Sequence, residues 1–317
     1  MYTTVRYKLK HGIAKDAMQN PFERATAFSY TFVAATSLIA VTVISASRFD
    51  FGVPIGAFAG LATFIACAIL LRRYDHDRIA GTIEASSLFA LISILGMIVS
   101  ILLAGTAMPY TDELLIAADT LLGFNWPAAN AYFRQDYRIV RTAAEIYLSL
   151  NWQPFLLFTA LFATRRSEQA WRFLNAWIVA LVMTLALFPF YPALAAFDYY
   201  GVAPVLSDPS RLGDRSAYMS VLGGARSGAA FLINDSSMVG LITFPSFHAA
   251  AGILLAYGFW PIVLLRYPFM LLNAAMVVSA IFVGGHYLID IIGGLMVAAA
   301  AIKLTTTRVG SRSPPTF

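Results

Sequence analysis

Charge is scarce in this chain. Of its 317 residues only 12% are Asp, Glu, Lys or Arg, against 59% hydrophobic, and mean hydropathy is +0.70. That balance excludes an ordinary soluble domain. Cysteine is nearly missing: Cys67 is the only one, it lies in an apolar run, and no intramolecular disulfide is possible. No internal repeat and no second globular domain is visible. Metal-ligand spacing is also lacking, since His76, between Asp75 and Asp77, has no second ligand cluster and reads as part of a solvated loop. The net charge of +5 is the one feature that could point to nucleic acid. The basic residues sit beside apolar runs, however, which membrane orientation explains, and nucleic acid is excluded as a partner.

What the chain has is long apolar segments. Residues 1–27 are polar, with Arg6, Lys8, Lys10, Lys15 and Arg24 among Val5, Leu9, Ile13 and Met18, which fits either a segment on an anionic membrane face or a solvated tail. The run Phe28–Ser47 is too long for a signal-peptide core and favours a retained helix. Further spans are expected at about 53–71, 86–105, 146–163, 175–197, 246–265, 268–283 and 286–304. The charged stretches Arg72–Arg78 and Thr164–Glu168 read as inner loops. Residues 106–150 read as interfacial amphipathic helices with Trp126, Tyr132, Phe133 and Tyr137 at headgroup depth. Asn151 and Gln153 face either a cavity or another helix. Residues 198–246 form the longest polar stretch and read as an outer loop of the lid or binding type.

The expected fold is therefore all-α: a polytopic transmembrane helical bundle of about eight spans over residues 28–306, between the N-terminal segment 1–27 and a cytoplasmic tail 307–317. With that count, fifteen of the 22 basic residues fall on the side of the termini, which the positive-inside rule makes cytoplasmic.

Two stretches carry chemistry. Phe244-Pro245-Ser246-Phe247-His248 opens one span and Gly284-Gly285-His286-Tyr287-Leu288-Ile289-Asp290 opens another. Ser246 is a good N-cap, placing His248 in a first turn whose N–H groups and dipole favour an anion such as phosphate. His286 and Asp290, four apart, share a helix face within hydrogen-bonding reach, so the carboxylate can fix the histidine's tautomer. The span count puts both histidines on the non-cytoplasmic side.

At these residues the chain resembles the type-2 phosphatidic acid phosphatase superfamily, whose second motif is Pro-Ser-Gly-His and third Ser-Arg-x5-His-x3-Asp. Here Phe247 replaces the glycine, and Ser279, His286 and Asp290 are kept while Ala280 stands where the arginine is expected. The Phe-Pro-Ser-Phe-His and Gly-His-Tyr forms, and the string Leu122-Gly123-Phe124-Asn125-Trp126-Pro127, are similar to the branch of inositol phosphorylceramide synthases and their uncharacterised bacterial members. The resemblance implies a six-helix core in a bacterial inner membrane with its site facing the periplasm. It also implies a lipid phosphate substrate (polyprenyl, glycerolipid or sphingolipid), no metal and no cofactor. Its roles map onto His286 as nucleophile forming a phosphohistidine, Asp290 as its partner and His248 as general acid. A first motif of the Lys-x6-Arg-Pro type is missing, so the charge for the phosphate must come from elsewhere. Arg226 first, then Arg211 and Arg215, are the outer-loop candidates, with backbone N–H groups around Ser246 and Gly285.

Three other readings remain at this level. They are a head-group transferase, a transporter using the His/Asp cluster as a proton relay, and a metal or haem protein.

Overall fold

The structure, a computed structural model, describes residues 27–28, 30–31, 33–35, 37–38, 49–51, 55–205, 218–227, 231–233 and 240–307. The N-terminal segment, most of the first expected span, and the tail lie outside the described residues. Helices dominate. They are α1 (Ile55–Arg73), α2 (Asp77–Ala104), α3 (Asp112–Leu121), α4 (Trp126–Phe133), α5 (Tyr137–Leu148), α6 (Gln153–Ala163), α7 (Ser167–Leu187), the short α8 (Ala196–Tyr199), α9 (Tyr218–Arg226), α10 (Phe247–Phe259), α11 (Arg266–Phe282) and α12 (Leu288–Thr307). Among the described residues the departure from an all-α reading is a parallel pair of three-residue strands, β1 (Phe49–Phe51) with β2 (Phe231–Ile233).

Among the described residues three helical stretches are long and apolar enough to cross a membrane: Asp77–Ala104, Ser167–Phe190 and Leu288–Thr306. A fourth joins if α5 and α6, bent by 53° where they meet, form one span. The sequence placed a span at about 146–163, which this break interrupts. Pro154 at the head of α6 has no N–H to continue the ladder, and a 3-10 turn at Ser149–Asn151 takes up the bend. The helices α10 and α11 are apolar but shorter, 13 and 17 residues. At about 1.5 Å per residue α10 covers about 20 Å, less than a bilayer's hydrocarbon thickness of about 30 Å.

The charged loops after α1 and α6 are tight turns. Asp75 and Arg165 take left-handed φ values of 61° and 60°, and His76 and Arg166 donate N–H to the carbonyls of Leu71 and Leu161. This is the Schellman closure that ends a helix and reverses the chain. Across the first of these turns Arg72 pairs with the buried Glu84.

The core lies between α2, α6, α7, α10 and α12, where Phe89, Phe158, Phe173, Trp171 and Trp177 fill the interior. Gln153 is fully buried and accepts from Asn273 Nδ2 at 2.9 Å, so its amide joins α6 to α11. Asn151 is exposed. Trp126 is a correction: it is 2% exposed, lies parallel to Tyr200 at 5.6 Å and donates Nε1–H to the Ile281 carbonyl, so it is a core residue rather than an interfacial anchor. Tyr132 and Tyr137 are exposed as expected.

The expected outer loop 198–246 contains a helix, α9, held because Tyr218 is buried with its hydroxyl directed at the carbonyls of Ala193 and Leu241. At its end Arg226 donates to the carbonyls of Ala104 and Met108 and stacks over Tyr110, 4.4 Å from the ring centre. A guanidinium there lies at the negative dipole end of α2. Arg226→Ala is expected to cost about 1–2 kcal/mol, seen as a Tm lower by a few degrees in detergent. An unchanged Tm with a raised KM for a lipid phosphate would instead make Arg226 a substrate contact.

Candidate active site

The two motif stretches meet where α10 crosses α12. Ser246 caps α10, its Oγ accepting from Ala249 N at 3.3 Å, and its own N–H donates to the Asp290 carbonyl at 2.9 Å. The packing is close enough that a Cβ on Gly294 would stand 2.3 Å from the Ser246 carbonyl oxygen.

The His286–Asp290 contact forms with Nδ1 to Oδ2 at 3.2 Å, and both groups are buried. It does not form on one face of a helix, as the spacing suggested, because α12 begins only at Leu288. Gly285, at φ +72°, ends α11's continuation in a turn, and a Cβ there would also meet Phe197 at 2.6 Å. His286 lies in that turn, and Asp290 reaches back to it from the first turn of α12. Asp290 Oδ2 also accepts the Tyr287 N–H at 3.0 Å. A carboxylate only accepts, so Nδ1 carries the proton and the Nε2 lone pair becomes the nucleophilic one.

His248 is half-buried. Its ring lies parallel to that of Tyr147 at 4.1 Å, with the Tyr147 hydroxyl 3.3 Å from Nδ1. Which of the two donates follows the ring's protonation, and the form able to act as a general acid is the imidazolium, with protons on both Nδ1 and Nε2. Tyr147 and His286 both flank Gly284: a Cβ there would lie 2.9 Å from His286 Cδ2 and 3.1 Å from Tyr147 Cε2. Tyr147 was not legible as a site residue, since nothing local distinguishes it from the other aromatics of 106–150.

Two further residues escape a sequence reading. Asp112 accepts from Leu194 N at 3.1 and 3.0 Å and from the Tyr287 hydroxyl at 2.8 Å. Asp119 accepts from Leu288 N at 2.9 Å and Ile289 N at 2.8 Å. Burial pushes both carboxyls above the ordinary carboxylate range, and the N–H donors pull back against it. The positive end of α12 is thus already occupied by a carboxylate, leaving the first turn of α10, with His248, as the helix end for an anion.

The motif departures have a structural counterpart. Phe247, in place of glycine, packs edge-on against Trp177 at 5.1 Å. Ala280 is fully buried, and its carbonyl accepts the His286 N–H at 3.3 Å. Of the basic candidates, Arg226 is engaged at α2 as described, and Arg211 and Arg215 lie outside the described residues. Arg134 stands over Phe197, the ring that covers Gly285, and donates to Asn130 and to the Ala203 carbonyl. Among the described residues no group of three or more His, Cys, Asp or Glu could hold a metal ion.

Long apolar helices, and two histidine stretches brought together with a buried carboxylate at their crossing, point to a helical membrane protein. The chain belongs to the PAP2 superfamily, whose family model matches residues 113–304, from the first turn of α3 to the last turns of α12. Members of that superfamily are phosphatases or phosphotransferases. No curated protein and no solved structure is matched.

Proposed function

We propose that this protein is an integral membrane phosphatase or phosphotransferase for lipid phosphate esters, working through a phosphohistidine on His286. The observation that carries the reading is the buried His286–Asp290 contact at 3.2 Å. A carboxylate among apolar helices is costly unless it has a task, and here it orients a ring and can stabilise the positive charge that grows on it during attack. Nε2 of His286 attacks phosphorus and the bond to the lipid oxygen breaks, while His248, as imidazolium, gives its Nε2 proton to that oxygen. His248, now neutral at Nε2, takes the proton of an incoming water or alcohol, whose oxygen displaces His286 from phosphorus. Hydrolysis and head-group transfer differ only in that acceptor.

The site is read as opening on the non-cytoplasmic face of a chain of about eight spans, on the periplasmic side in a bacterial inner membrane. That placement is supported by the fifteen-to-seven split of basic residues.

The test is phosphate release from a panel of polyprenyl, glycerolipid and sphingolipid phosphates in detergent, with EDTA present and with or without vanadate. Release that survives the chelator and is suppressed by vanadate is expected. If folded protein gives neither release nor transfer, with ceramide, inositol or glycerolipid acceptors supplied, the proposal fails.

A further inference from the structure

Helix α12 begins without a local cap. The residues leading into it, Gly284-Gly285-His286-Tyr287, include no Ser, Thr, Asn or Asp whose side chain could meet its first N–H groups. Those donors still have to be satisfied, because the helix end is buried against α3 and the turn holding His286. Asp119, 169 residues earlier in the chain, supplies what is missing. Both of its oxygens are used, Oδ2 by Leu288 N–H and Oδ1 by Ile289 N–H.

The remaining first-turn contact runs the other way. Asp290, the third residue of α12, accepts the Tyr287 N–H with the same oxygen that faces His286 Nδ1. This is half of a capping box, and Asp119, from another helix, takes the next two N–H groups, those of Leu288 and Ile289. A shift of the Leu288–Ile289 backbone therefore moves Asp290 Oδ2, and with it the hydrogen bond at Nδ1 that sets the tautomer of His286. Asp112 braces the same turn at the Tyr287 hydroxyl while holding Leu194 N–H. Residues 112 and 119 are seven apart, two helical turns, so α3 presents both carboxylates from one face.

We propose that Asp119 is a positioning residue for phosphoryl transfer, an N-cap supplied in trans that fixes the His286–Asp290 pair in its reactive geometry. This rests on His286 being the nucleophile. A carboxylate is required rather than an amide. Asparagine offers one acceptor oxygen and turns an NH2 toward the second N–H, whereas alanine leaves both donors unanswered.

The experiment compares wild type, Asp119→Asn, Asp119→Ala and His286→Ala as purified full-length protein in detergent. It uses the lipid phosphate with the highest release in the panel above, and reads kcat, KM and Tm. It also reads vanadate binding by vanadium NMR, which needs no substrate. A misplacement of this kind costs about 10²-fold. Expected is a graded loss of kcat, largest in Asp119→Ala at about 10²-fold and smaller in Asp119→Asn, with KM within about twofold and vanadate binding weakened in the same order. If Asp119→Ala does not fold, Asp119→Asn carries the comparison.

A purely structural cap would lower Tm while leaving kcat per folded molecule and vanadate binding at wild-type values, and that result overturns the proposal. So does a raised KM at unchanged kcat. Activity retained in His286→Ala removes the nucleophile reading itself. An inactive His286→Ala beside a fully active Asp119→Ala removes only the present one.

Discussion

His286→Ala is expected to lower turnover by about 10⁴-fold or more while the protein remains folded, because it deletes the group on which the covalent intermediate forms. The side chain is buried, and it lies beside Gly284 and Asp290 in the turn ahead of α12. Loss of the ring leaves Asp290 with only the Tyr287 N–H on Oδ2, so some loss of Tm is expected too. Asp290→Asn separates the two effects. Its amide keeps the size of the side chain but can favour the wrong tautomer of His286, a change worth about 10⁴-fold in comparable triads. Turnover in His286→Ala within about tenfold of wild type, with folding shown by Tm, would eliminate the phosphohistidine mechanism.

The second large effect is expected at Gly294. An added Cβ would lie 2.3 Å from the Ser246 carbonyl oxygen, 2.9 Å from Ala249 Cβ and 3.2 Å from Ala250 N. Two of these are backbone atoms, which cannot swing aside as a side chain can. Gly294→Ala therefore forces α10 and α12 apart and weakens the Ser246 N–H to Asp290 carbonyl bond. Overpacking of this kind costs about 1–3 kcal/mol, and the better helix propensity of alanine returns less than about 1 kcal/mol of it. Activity should fall further than stability, by about 10²-fold, since His248 stands on one of the separated helices and Asp290 on the other. Gly60→Ala is the control, because a Cβ there meets nothing within 4 Å. Equal Tm and turnover in the two variants would show that the crossing is not as tight as described.

The contrast between these residues explains what could be seen in advance. Ser246 as a cap follows from local chemistry, a short polar side chain followed by an apolar run, and the structure shows that cap. The His286–Asp290 contact was legible from spacing, though its cause was not: a glycine turn, rather than a continuous helix, brings the imidazole to the carboxylate. The preference for Arg226 rested on nearness in sequence. Its guanidinium instead meets the carbonyls of Ala104 and Met108 at the end of α2, more than a hundred residues away. Trp126 carried the composition of an interfacial anchor, yet its indole N–H finds the Ile281 carbonyl and the ring is buried.

By itself the sequence determined the membrane setting, the helical class and the histidine and aspartate stretches. These depend on composition and on contacts within four residues, which the chain carries wherever it goes. Tertiary structure alone decided the bend before Pro154, the stacking of Tyr147 on His248 and the capping of α12 by Asp119. Each of those joins groups far apart in sequence, and their pairing is set by which helices pack together, a global outcome with no local signature. Proline allows a kink but does not set its angle. A buried N–H requires an acceptor but does not specify which residue supplies it.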